Sequence, residues 1–248
     1  MTNNRYSILT LICLLATSLC CIPAESGGQA PDGVIKVMLD PGHGGQDTGS
    51  KGSEGLFEKD LTLALAEKLA LTLEAAGSFL PIMTRKDDQA VSLDERAGLA
   101  NNHQADMLIS FHLGDTFTGS PMGFSIYYWS PTTASPITRA PTGKQPWDLE
   151  QEPYWEKSRM LASLMQEELL WSIPWASGGV LAADIYLLRR VRMPAVLLEL
   201  GSLNHPEEAA QLQKPQFQEA VAKALTQAII KYNSLEQKGI LLPQPTPQ

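Results

Sequence analysis

Four polar side chains interrupt or end apolar stretches of this chain: His43, Glu58, His112 and Glu199. His43 follows a β-branched apolar run beginning at Val34 and sits inside Asp40-Pro41-Gly42-His43-Gly44-Gly45. Proline and glycine there stop a strand abruptly and let the backbone turn and approach a ligand closely. His112 ends the run DMLISFH at 106–112, and Glu199 lies within AVLLEL at 195–200. A glutamate in such a run is costly to bury unless it has a partner or a task. Glu58 opens a long helical stretch just after the glycine-rich loop.

Two imidazoles and a carboxylate suit a divalent cation, and zinc matches that donor set best. Three protein ligands with a fourth position left to water make a catalytic site, whereas structural zinc sites are usually closed by four. A second carboxylate held off the metal would take a proton from water and pass it to a leaving amine. Spacing alone does not bring these groups together, and each has a plainer reading. His43 could punctuate a turn, and His112 could be a satisfied strand-end histidine. Glu58 could be a first-turn acid favoured by the helix dipole, with Glu54 as its rival for the ligand role. Glu199 could form a buried ion pair with Arg189, Arg190 or Arg192.

The elements that must position these residues alternate between strand and helix. Strands are expected at 34–40, at 79–84 (near an edge because of Pro81) and at 106–112. Further strands are expected at 123–129, half exposed, at 185–188 and at 195–200. Helices are expected over 58–76, ended by Gly77, and over 92–102, opened by the capping pattern Ser92-x-x-Glu95. Two more are expected over 154–170 and 217–232. The result is an α/β fold in a single domain, with a central, mostly parallel β-sheet flanked by helices on both faces. Such sheets collect ligands beyond the carboxyl ends of their strands, where His43 and His112 lie.

The chain of 248 residues carries a net charge of −8, which argues against a nucleic-acid partner held by phosphate neutralisation. Arg5 followed by the apolar run from Ile8 to Cys21 reads as a signal peptide over residues 1–24, too short to span a membrane. All three cysteines, Cys13, Cys20 and Cys21, fall inside it. A lipoprotein with Cys20 or Cys21 acylated ranks second, since neither follows the small residue that processing prefers. The expected organisation is therefore a signal peptide at 1–24, a linker at 25–33, a catalytic domain at 34–235 and a proline-rich tail at 236–248. A loop insertion occupies 130–156. The mature protein is expected to be exported to the periplasm or cell envelope, without a transmembrane segment, as a monomer.

Five stretches together resemble the zinc-dependent N-acetylmuramoyl-L-alanine amidases that trim bacterial cell wall. They are VMLDPGHGGQDTGS at 37–50, EKDLTLALAEKLA at 58–70, MTRKDDQAVSLDERAGLAN at 83–101, ADMLISFH at 105–112 and MPAVLLELGSLNHPEE at 193–208. Their order and spacing carry the resemblance more than any one motif. It implies His43, Glu58 and His112 as the ligands of one catalytic zinc ion and Glu199 as the catalytic glutamate. It implies hydrolysis of the amide joining N-acetylmuramic acid to L-alanine in peptidoglycan, with a protein activator as a further partner. A binding module on the same fold with little catalysis is the alternative, and a zinc peptidase cutting stem peptides is a third.

Around this site an orienting hydrogen bond to each ligand histidine is expected, with Asp40 and Asp115 as candidates. Arg85 and Arg96 are read as structural ion-pair formers, His103 as a solvated helix end and His205 as a turn cap. Leu113 departs from the small residue usual after the second histidine and is expected to crowd the pocket. Ser202 stands where an aromatic is common. Within 130–156, Trp147, Asp148, Glu150, Glu152, Tyr154, Trp155 and Glu156 supply acids or aromatics that could cover the cleft, although a loop packed on the sheet is the favoured reading. GGQDTGSK at 44–51 imitates a phosphate loop but has its serine and lysine reversed. No G-x-S-x-G elbow is present, and no cysteine survives signal removal, so a nucleophilic hydrolase lacks its nucleophile.

Overall fold

Helices and strands alternate along the chain in the computed structural model, which describes residues 33–52, 55–114, 123–133, 150–173 and 177–240. The first half contains β1 (Ile35–Pro41), α1 (Glu58–Ala76), β2 (Phe79–Met83), α2 (Leu93–Asn102) and β3 (Met107–His112). The second half contains β4 (Gly123–Tyr128), α3 (Trp155–Ser172), β5 (Ser177–Ala182), α4 (Tyr186–Arg189), β6 (Ala195–Leu200), α5 (Pro206–Leu212) and α6 (Pro215–Gln237). The sheet order is β2-β1-β3-β6-β4-β5. β2, β1, β3 and β6 run parallel, β4 opposes β6, and β5 follows β4 in parallel.

Side-chain alternation divides the core between the two faces of the sheet. Val37, Leu39, Ile109, Phe111 and Leu198 pack under α1, α3 and α6. Met38, Leu108, Leu197 and Tyr127 pack under α2 and α4 on the other face. α1 buries Leu61, Leu65, Leu69 and Leu73 at helical spacing, each contributing about 1.5–3 kcal/mol relative to an exposed leucine. It ends at Gly77, whose φ of 79° is readily adopted only by glycine. α2 opens with the expected capping box: Glu95 N–H donates to Ser92 Oγ, and Ser92 N–H donates to Glu95 Oε2.

Pro81 lies in β2, at one edge of the sheet. Three expectations need correction. Residues 185–188 are not a strand: Tyr186–Arg189 is one helical turn, with Leu187 and Leu188 both packed into the second face. The strand is instead Ser177–Ala182, concealed by its glycines. A Cβ on Gly178 would stand 2.3 Å from the Phe124 ring, so an absent side chain is what lets β5 lie against β4. β4 is buried rather than half exposed, because Phe124 and Ile126 pack with α3 on one face of the sheet and Tyr127 enters the core of the other.

The closing helix runs from Pro215 to Gln237, into the first residues of the expected tail, and α5 precedes it. In the expected insertion, Glu152–Tyr154 forms a 3-10 turn and Trp155 already starts α3. Gln151 is buried and donates to the carbonyls of Val191 and Met193, just before β6. This fixes residues 150–156 at the amino edge of the sheet, where Glu150 pairs with Arg192. Trp147 and Asp148 lie outside the described residues, as do the expected signal peptide and residues 241–248. Ile35, at the start of β1, lines a cleft at this amino edge together with Tyr232 and Glu236 near the end of α6.

Candidate metal centre

The parallel strands β1, β3 and β6 all point their carboxyl ends to one edge, and the chemistry gathers there. β1 leads into the turn at Gly42-His43. A Cβ on Gly42 would stand 2.5 Å from His112 Cε1, and one on Gly49 would stand 2.6 Å from both Glu58 Oε2 and His43 Cδ2. Glycine at these two positions is what lets the loop close on the ligand side chains. His43 itself takes φ 61°, a left-handed conformation that a non-glycine residue adopts at a cost of order 1–3 kcal/mol.

Helix α1 is aimed by the same loop. Its first N–H groups lack intrahelical partners, and Ser50 and Thr48 supply carbonyls to the N–H groups of Glu58 and Lys59. Glu58 therefore stands at the helix N-terminus, where the dipole favours an anion. It is 2 % exposed. Oε2 accepts from Ser50 N–H at 2.8 Å and Oε1 from Leu113 N–H at 2.8 Å. Burial pushes its pKa up, but hydrogen bonds from His112, His43, Leu113 and Ser50 outweigh burial and hold it well below the usual carboxylate range.

One potential ligand atom from each of His43, Glu58 and His112 lies within 4.8 Å of the others. His43 Nε2 and His112 Nδ1 both face Glu58 Oε1, at 3.0 and 3.1 Å. The other nitrogen of His43, Nδ1, lies 2.8 Å from Asp47 Oδ2. A carboxylate can only accept, so this contact assigns the proton to Nδ1 and leaves a lone pair on Nε2 in the neutral ring. That lone pair would face a carboxylate oxygen at hydrogen-bond distance, a repulsion relieved by a cation shared between the two or by a second proton on the ring. The hydrogen bond to Glu58 raises the pKa of His43, against burial and with help from Asp47. The donor set thus fits a divalent ion.

Glu199 sits opposite His112 in the β3–β6 register and opposite Ser125 in the β6–β4 register. By alternation it shares the second face with His112 and Tyr127. A Cβ on Gly114 would stand 3.3 Å from both Glu199 carboxylate oxygens, so the residue after Leu113 leaves room for the acid. Tyr127 is close enough for its phenol to be pushed to a higher pKa, by burial first and then by the Glu199 charge. The three arginines considered as partners for Glu199 meet Asp184, Asp94 and Glu150.

The residue orienting His43 is Asp47, not Asp40. Asp40 is buried beneath the turn, where it accepts from Arg96, Thr84 and Ser110. Asp115 and Glu54 lie outside the described residues. Asp47 falls four residues after His43, a spacing that could have marked it. Leu113 does not crowd the pocket, because its side chain points into the core on the opposite face and only its N–H meets Glu58. Arg96 pairs with Asp40 at 2.6 Å as expected, whereas Arg85 makes its bonds to carbonyls. Ser202 donates its N–H to buried Glu208, and His205 is the N-cap residue of α5. His103 is the exposed C-cap residue of α2.

A parallel sheet carrying an open His–Glu–His cluster and a nearby carboxylate at its carboxyl edge has the make-up of a metal-dependent hydrolase. The chain belongs to the amidase type 3 family of N-acetylmuramoyl-L-alanine amidases, whose profile matches residues 37–231. It is 33 % identical over 221 residues to the uncharacterised protein YqiI of Bacillus subtilis, covering 89 % of this chain and 94 % of that one. The crystal structure of an N-acetylmuramoyl-L-alanine amidase from Clostridium difficile 630 superposes with a TM-score of 0.66 at 30 % identity, over 82 % of this chain and 98 % of that one. The CwlD amidase of Clostridioides difficile, solved in complex with the GerS lipoprotein, gives 0.66 at 28 % identity, over 81 % and 99 %. Other relatives are longer: the chain spans 35 % of the amidase LytC of Bacillus subtilis.

Proposed function

We propose that this protein hydrolyses the amide between N-acetylmuramic acid and L-alanine in peptidoglycan, with one zinc ion held by His43, Glu58 and His112 and with Glu199 as the catalytic acid–base. The observation that carries the reading is the convergence of these three ligand atoms within 4.8 Å, with Glu199 directly opposite His112 in the strand register, in a chain of the amidase family. When bound, zinc supplies Lewis acidity to an unreactive amide carbonyl and makes a water more acidic.

The remaining work falls to side chains. Asp47 keeps the Nδ1 proton on His43, which leaves Nε2 free to ligate. Leu113 and Ser50 hold Glu58 by its two oxygens, so its carboxylate does not swing away. Glu199 takes a proton from the attacking water and delivers it to the departing nitrogen of L-alanine. The amide carbon–nitrogen bond breaks, and the lactyl carboxylate and a free amine result.

Export to the cell envelope is supported by the Arg5-led apolar segment and by the family's substrate, and no helix among the described residues is long and apolar enough to cross a membrane. A protein activator is supported only by analogy with the lipoprotein complex of CwlD.

The test is release of stem peptides from purified sacculi by the metal-stripped protein with and without added Zn²⁺. Products with a free N-terminal L-alanine, formed only when metal is restored, are expected. Activity undiminished by stripping would overturn the zinc reading, and a different new N-terminus would make the enzyme a peptidase.

A further inference from the structure

Arg85 is 1 % exposed, and among the described residues it has no carboxylate within ion-pair distance. Its guanidinium is solvated by the backbone instead. Nε donates to Pro41 O at 3.0 Å, one terminal nitrogen to Asp87 O at 3.1 Å, and the other to Gly42 O at 2.8 Å and Lys59 O at 2.7 Å. That last nitrogen also reaches Thr62 Oγ1 at 3.2 Å, and the Thr62 hydroxyl donates to Gly42 O at 3.0 Å. Burying a cation this way is expensive, and an apolar residue of similar volume would usually stabilise as well or better. Stability alone therefore accounts poorly for an arginine here.

Its acceptors account for it better. The Gly42 carbonyl belongs to the peptide that joins Gly42 to His43, and Lys59 directly follows Glu58. One planar group thus spans the two chain segments that present two of the three candidate ligands. The residue is delivered from the neighbouring strand: Thr84 N–H donates to Leu39 O at 3.0 Å, and Thr84 Oγ1 donates to Asp40 Oδ1 at 2.6 Å. Asp88, three residues on, reinforces the same junction by accepting from Gly45 N–H and from Lys59 Nζ.

We propose that Arg85 is a positioning residue of the metal centre, its buried guanidinium fixing the spacing between the His43 turn and the first turn of α1 that carries Glu58. The proposal rests on the reading of His43, Glu58 and His112 as metal ligands. Lysine does not replace it, because an ammonium is a point donor and lacks the rigid fork that reaches several carbonyls at once. The fork also counters the left-handed strain at His43 by tying down the carbonyl just before it.

The experiment measures Zn²⁺ affinity of the full chain, stripped of metal, by competition with a chromophoric chelator, alongside the melting temperature of the metal-free protein. Arg85→Lys, Arg85→Ala and Leu73→Ala are compared with wild type. Leu73 is buried near the far end of α1 and serves as a destabilised control. Both Arg85 variants are expected to lose Zn²⁺ affinity by about 10–100-fold, the range typical of residues that orient ligands. Leu73→Ala is expected to lower the melting temperature with its affinity unchanged. Wild-type affinity in Arg85→Lys would overturn the proposal, as would an affinity loss in Leu73→Ala as large as in the Arg85 variants. Should Arg85→Ala not fold, Arg85→Lys, which keeps charge and most of the volume, decides alone. A wild-type protein that binds no zinc would instead overturn the underlying metal reading, and that outcome is distinct.

Discussion

His112 and Glu199 are direct neighbours across the parallel strand pair β3–β6. A ligand candidate and the proposed proton carrier are thereby held by one backbone register, on one face, at the carboxyl edge of the sheet. A slip of one residue would turn both the glutamate and its strand's core side chains to the wrong face. The placement of the acid beside the candidate metal centre thus follows from how β6 packs.

Replacing this acid separates chemistry from binding. Glu199→Gln keeps size and polarity but cannot accept a proton, so kcat on sacculi is expected to fall by about 10²–10⁴-fold. Zn²⁺ content is expected to stay at the wild-type level, since the proposed ligands are His43, Glu58 and His112. Elemental analysis beside peptide-release kinetics checks this, and wild-type turnover in the variant would remove Glu199 from its role.

Asp47 controls which nitrogen of His43 carries the proton. Asp47→Asn substitutes a weaker acceptor that can also present its NH₂ group to Nδ1, so Zn²⁺ affinity is expected to drop by about 10–100-fold. Chelator competition reads this directly, with an unchanged circular dichroism spectrum as the sign that the fold is intact.

Gly49 has no room for a methyl group and no backbone tolerance for one. Its φ is 61°, and a Cβ would meet Glu58 and His43 at 2.6 Å. Gly49→Ala is expected to abolish stoichiometric zinc binding. Gly179→Ala, where nothing lies within 4 Å of the added carbon, is expected to bind as wild type.

Asp88 makes the loop sensitive to acid. The hydrogen bond from Lys59, followed by that from Gly45 N–H, lowers its pKa in the folded protein. A depressed folded-state pKa stabilises above the unfolded value, roughly 3.9, and that contribution disappears as pH falls through the folded value. In metal-free protein, Asp88→Asn is therefore expected to melt below wild type at neutral pH. The gap should close progressively once the pH drops below about 4. A gap that stays constant into strong acid would show that the charge of Asp88 is not what holds the junction.

Much of this was legible in the sequence because the informative residues are local. DPGHGG announces a turn, the Ser92 capping pattern announces α2, and leucine spacing announces α1. His43, Glu58 and His112 converge as the motifs implied, and Glu199 lies in register with His112. What stayed hidden depends on contacts between distant segments. β5 reads as loop because Gly178 and Gly179 carry no side-chain signal, and its reason, the Phe124 ring, lies more than fifty residues away. Leu113 reads as a bulky neighbour of the site, because only alternation along β3 sends its side chain to the far face. Arg85 reads as an ion-pair former and Asp47 draws no reading as a partner of His43, because nothing local reveals that one reaches backbone carbonyls and the other a ring nitrogen.

The cleft at the amino edge brings the start of β1 and the end of α6 together, on the side of the sheet away from the metal centre. The described chain thus enters β1 and leaves α6 at this one edge. Neither end of the described core therefore lies across the His43–Glu58–His112 cluster, which sits at the opposite edge of the sheet.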